Sequence, residues 1–134
     1  MSKKFTLIPL VAALFSGSLF AAVEPVTLED LPLLKQESQH GTASKRVANL
    51  FTRSHYTPVR FNDELSSKVF DRYIESLDFN KSVFLKSDVD SLEQYRNRFD
   101  NALLSGQLGF TFDIFNLSLK RRFERYEFSL SLLE

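Results

Sequence analysis

Apolar positions along this chain recur mostly at helical spacing, and the stretch from Val69 to Val89 sets the pattern for the rest. Val69, Tyr73 and Leu77 follow one helical stripe, widened by Phe70 and Ile74. Asp78-Phe79-Asn80-Lys81-Ser82 interrupts it with turn-formers, and Val83, Phe84 and Leu85 form an apolar run too short for a helix. Ser87 is then a candidate N-cap, with Asp88 and Asp90 at the positive end of the next helix dipole. The centre of the chain therefore reads as a helical hairpin with an apolar corner. Upstream, Val23 to Gly41 reads as an extended lead-in with at most one helical turn. Thr42 or Ser44 is expected to cap a helix running to about Tyr56, with Val47, Leu50, Phe51 and Ser54 on its buried face and Thr57-Pro58 as its stop. Asn62-Asp63-Glu64 opens the following helix, whose stripe is Leu65, Val69, Tyr73 and Leu77. After the hairpin, Val89, Leu92, Phe99 and Leu103 predict one helix over 88–105, with Gly106 free to adopt the left-handed cap conformation.

The last predicted helix, over 111–134, carries two apolar stripes. Phe112, Phe115, Leu119, Phe123, Tyr126, Leu130 and Leu133 fall within roughly 80° of one another at helical periodicity, and are expected to form the core face. Opposite them lie Phe110, Ile114, Leu117, Arg121, Arg125, Phe128 and Leu132, apolar at both ends and basic in the middle. A helix wet on its outer face has no need of Ile114, Leu117, Phe128 and Leu132 there. The helix is therefore expected to be covered on two sides, and the second stripe is the candidate interdomain or partner surface. Its register runs unbroken to Glu134, with no glycine, asparagine or proline after Ser129, so the chain reads as the front part of a longer protein. The fold expected is all-α: an irregular bundle of four main helices, at 44–56, 62–78, 88–105 and 111–134.

The first residues differ in kind. Lys3 and Lys4, the apolar run from Phe5 to Phe20 and the small pair Ala21-Ala22 make a secretory signal peptide over 1–22, leaving 23–134 as the helical domain. No cysteine follows the apolar run, so it is not a lipoprotein signal. The expected location is the periplasm; an uncleaved leader would instead hold the chain at the inner membrane. Lys+Arg and Asp+Glu are both 17, and removal of Lys3 and Lys4 leaves 15 basic against 17 acidic residues. That balance points to no nucleic-acid partner. The absence of cysteine excludes disulfides, thiolate nucleophiles and zinc–thiolate sites.

Candidate chemistry is sparse. His40 and His55 lack a second ligand at metal spacing, so no metal site is expected. Ser54-His55, Ser44-Lys45 and Ser67-Lys68 are neighbours in sequence only, which does not bring their side chains together. The acids Asp88, Asp90 and Glu93 suit a helix start, and no calcium-loop glycine accompanies them. Lys120-Arg121-Arg122 and Arg125 interleave with Glu124 and Glu127, as in an ion-paired helix face. No catalytic residue and no cofactor site is assigned.

Several stretches, in order, resemble the N-terminal region of the periplasmic tail-specific, or carboxy-terminal processing, proteases: LPLLKQESQH (Leu31–His40), SKRV (Ser44–Val47), FTRSHY (Phe51–Tyr56), VFDRYIESLD (Val69–Asp78), SDV (Ser87–Val89) and KRRFERYEFSLSLLE (Lys120–Glu134). The resemblance implies a secreted serine endopeptidase that degrades proteins from apolar C-termini, using a PDZ domain and a Ser–Lys dyad that lie beyond this chain. None of the catalytic residues of that family carries onto a position here. The chain would serve as scaffold, packing against the PDZ and catalytic domains and helping to dock a lipoprotein adaptor of helical repeats. The alternative is a free-standing periplasmic helical module that binds peptides or partners. The first reading makes the apolar back of the last helix a seam and the isolated chain sticky. The second makes that back a working surface on a monodisperse protein.

Overall fold

The computed structural model describes residues 26–57 and 59–133. The expected leader over 1–22 lies outside them. The described residues form five α-helices and no strand: α1 (Ser38–Ser54), α2 (Asp63–Leu77), α3 (Lys86–Leu92), α4 (Phe99–Ser105) and α5 (Gly109–Ser131). Short 3-10 turns lie at Leu28–Asp30 and Glu93–Tyr95. None of these helices is long and apolar enough to cross a membrane. The fold is the expected irregular all-α bundle, and its core joins Phe70 and Leu77 of α2 to Leu92 of α3, Phe99 of α4 and Ile114 of α5.

Local chemistry explains the boundaries. Asn62 caps α2 as expected, its side-chain oxygen accepting the Leu65 N–H at 3.0 Å. Gly106 ends α4 at φ 73°, the left-handed cap assigned to it. α1, however, begins at Ser38, six residues before the expected start. The His40 ring supplies the cap, its Nδ1 accepting the Glu37 N–H at 3.0 Å. Thr42 and Ser44 lie inside the helix, where Ser44 is buried and donates to the Leu103 carbonyl at 2.9 Å. α3 likewise starts before Ser87: Asp88 reaches back to accept the Leu85 N–H at 3.0 Å.

Two larger expectations are corrected. The single helix over 88–105 is broken between Tyr95 and Phe99. Ser66, fully buried on α2, donates to the Arg96 carbonyl at 2.7 Å and accepts the Phe99 N–H at 2.8 Å. A hydroxyl thereby replaces the main-chain partners that the break removes. Arg96 fixes the same corner from outside, binding Glu93 twice and Asp71 at 2.7 Å while lying 4.6 Å from the Phe70 ring centre. The buried face of α1 is also not the Val47–Leu50–Phe51 stripe, which is 41–61% exposed. α1 docks through Gly41, Ser44 and Ala48, and a Cβ at Gly41 would sit 2.7 Å from the Gly106 carbonyl oxygen. Only small residues permit so close an approach to α4.

α5 is covered on two sides, but its deepest burial lies opposite the expected core face. Ile114 and Ser118 are each 1% exposed, whereas Tyr126, Leu130 and Leu133 of the first stripe are open to solvent. The other cover is the lead-in. Asn116 makes a two-way amide pair with the Leu34 main chain, at 3.0 and 2.8 Å. Gln36 bridges the α4–α5 turn, donating to the Gly106 carbonyl and accepting the Leu108 N–H, both at 2.6 Å.

Candidate docking surface

The chemical constellations considered from sequence are absorbed by the scaffold. His40 caps α1 and packs its ring 5.3 Å from that of Phe112. His55 stacks on Phe51 and bonds the Thr57 main chain. Ser44 and Ser66 hold main-chain groups, and Ser67 accepts from Arg96 at 3.0 Å. Among the described residues no three His, Cys, Asp or Glu side chains gather as metal ligands. What remains open is surface, concentrated at three places.

The first is the C-terminal third of α5 with the two residues that follow it. Tyr126, Phe128, Leu130, Leu132 and Leu133 are 44–83% exposed, so apolar side chains point to solvent on both faces of the helix. Exposed apolar groups contiguous on one element mark an interaction site more often than scattered ones do. Of the seven residues expected to form the partner surface, the structure separates two groups. Ile114 is in the domain's own core, with Phe110 and Leu117 packed against it. Arg121 grips buried Asp88 through two bonds, at 2.7 and 2.8 Å, and also holds Glu124. Phe128 and Leu132 are open, at 64% and 70% exposure. Arg125 lies between the groups, donating to the Ser82 carbonyl at 3.0 Å.

The second is a cleft of about 430 Å³ beside that end of α5, against the α2–α3 loop. Asp78 ties the loop into a ring, its carboxylate accepting the N–H groups of Ser82, Val83 and Phe84 at 2.6–3.0 Å. Burial pushes the Asp78 carboxyl upward, but these three donors and nearby Arg122 outweigh it and hold it below the ordinary aspartate value. The loop turns through Lys81 at φ 52° and leaves Phe79 78% exposed. Arg122 donates to the Leu77 carbonyl in the last turn of α2, where a cation complements the helix dipole. Asp88, on the other side of α5, is held below the ordinary value chiefly by its Arg121 bonds, against the opposing effect of burial. The third place is an apolar groove of about 280 Å³ between α1 and α2, walled by Val47, Phe51, Phe61, Leu65, Val69 and Leu103. It takes in Val47 and Phe51 of the exposed stripe of α1.

A sequence model described as the tail specific protease N-terminal domain matches residues 47–134, from the middle of α1 to the end of α5. The chain belongs to the tail specific protease N-terminal domain family. A curated relative from Haemophilus influenzae, named Tail-specific protease, is 46% identical over 105 residues, which cover 78% of this chain and 15% of the relative. The chain thus spans a small part of that relative's length. The family match begins inside α1, yet the lead-in and the first turns of α1 are bonded into the domain through Gln36, Ser44 and Asn116. The folded unit is therefore larger than the matched segment. The open features of α5 are not predicted by any catalytic pattern; the second apolar stripe signals Phe128 and Leu132, whereas Tyr126, Leu130 and Leu133 belong to the stripe expected as core.

Proposed function

We propose that this chain is the scaffold domain of a periplasmic tail-specific serine endopeptidase, which degrades proteins from their C-termini using PDZ and catalytic portions outside it. In this reading the last turns of α5 seat against those portions. The observation that carries it is the coincidence of the family match with the five exposed apolar residues of 126–133. Buried against the remainder of a protease, they would contribute hydrophobic stabilisation to an interdomain seam, at about 25 cal/mol per Å² of apolar area covered. The domain supplies position, and no residue here performs bond cleavage. A lipoprotein adaptor would then dock on a face that the seam leaves free, of which the α1–α2 groove is the most apolar. The leader pattern of residues 1–22 supports the periplasmic placement.

The test is hydrolysis of a peptide with an apolar C-terminus. The full-length protein is expected to cleave it, and the isolated chain to leave it intact. Serine substitution of both Phe128 and Leu132 in the full-length protein is expected to lower its thermal stability and its cleavage rate together. Peptide cleavage by the isolated chain would defeat this reading.

A further inference from the structure

Arg122 and Arg125 both line the cleft beside the α2–α3 loop, and neither makes an ion pair among the described residues. Each has one bond to a main-chain carbonyl, which leaves most of the five donors of a guanidinium unused. Asp78 is the only carboxylate lining the cleft, and its oxygens are taken by the loop's own N–H groups. Two cations against one carboxylate leave the lining of the cleft with a formal net charge of +1. Its rims are apolar, formed by Phe79 and Tyr126, at 78% and 61% exposure. Forked donors in an open, aromatic-edged cleft are matched to a carboxylate, which accepts in the same planar geometry. The C-terminal carbonyls of α2 face the same space and oppose any anion, so a singly charged carboxylate fits better there than a doubly charged phosphate.

We infer that this cleft receives the side-chain carboxylate of an aspartate or glutamate from the polypeptide that follows residue 134 in the full-length protein. The inference rests on the seam reading of α5. The occupant is chosen on length and position. The matched part is 15% of the relative, so most of that protein lies outside the domain. Ser129, which lines the cleft, lies about one helical turn before the end of the described residues, so a polypeptide continuing from α5 is adjacent to it. The carboxylate adds direction to a seam whose apolar part alone would tolerate sliding.

The experiment places photoreactive benzoylphenylalanine at position 79 of the full-length protein and maps the cross-link by mass spectrometry. The expected product is intramolecular, to a segment beyond residue 134 that carries an acidic residue. Arg125→Gln is expected to reduce its yield by about tenfold, the effect of losing a charge-assisted hydrogen bond. R122Q/R125Q should abolish it. Arg125→Gln gives up one exposed bond only, so its near-ultraviolet circular dichroism should match the parent. An intramolecular cross-link of undiminished yield in both variants would overturn the carboxylate site and leave the seam standing. Cross-linking to a second molecule, or to nothing, would overturn the seam and the site together.

Discussion

At the scale of single residues, this domain is held by polar side chains that replace missing main-chain partners. Ser66 closes the α3–α4 break, Gln36 the α4–α5 turn, and Asp78 the loop after α2. Ser66→Ala is expected to lower stability by about 1–3 kcal/mol, because it leaves the Arg96 carbonyl and Phe99 N–H buried without partners. Urea unfolding measures this, and an unchanged midpoint would mean that the break is held elsewhere. Asp78 and Asp88 make stability depend on pH. Both carboxyls are depressed in the folded state, so their contribution is present above the unfolded value of about 4 and is lost as pH falls through the lower folded values. The urea midpoint should therefore drop on acidification below about pH 4. Asp88→Asn should lower the midpoint at pH 7 and flatten the acid drop; an equally steep drop in that variant would remove Asp88 from the account.

At the scale of elements, what was legible in the sequence was local, and what was hidden was tertiary. The Asn62 cap and the left-handed Gly106 depend on neighbouring residues and are read directly, whereas the deepest positions of α2, Ser66 and Phe70, lie beside its expected stripe of Leu65, Val69, Tyr73 and Leu77. The break before α4 carries no glycine or proline, because its cause is a serine thirty residues upstream. Periodicity misplaced the inner face of α1, since Gly41, Ser44 and Ala48 dock by smallness rather than by apolarity. On α5 periodicity put the core face on the Phe112–Leu133 stripe, and the packing of Phe70 and Phe99 instead draws in Ile114 from the other one. The unmatched lead-in is the least expected structural part, because its fixing amides, Gln36 and Asn116, join main-chain groups far apart in sequence. Asn116→Ala should loosen it, seen as faster amide hydrogen exchange over residues 31–36 with α2 unchanged. Equal exchange in variant and parent would show that Gln36 alone secures the segment.

At the scale of the molecule, the domain is tightly organised at one end and open at the other. The aromatic cluster of Phe70, Phe99 and Phe110, the Asn116 bonds to the lead-in and the Asp88–Arg121 pair close the first two-thirds of α5. Beyond Arg125 the chain leaves its own core and shows apolar side chains on two faces. Such a projection is expected of a part that is completed by a larger protein, as membership of the tail specific protease N-terminal domain family suggests. The most direct test is hydrogen exchange of residues 126–133, compared between the full-length protein and the isolated chain. The account predicts strong protection in the full-length protein and rapid exchange in the isolated chain. Equal, rapid exchange in both would contradict it, because the end of α5 would then be free surface in the complete molecule.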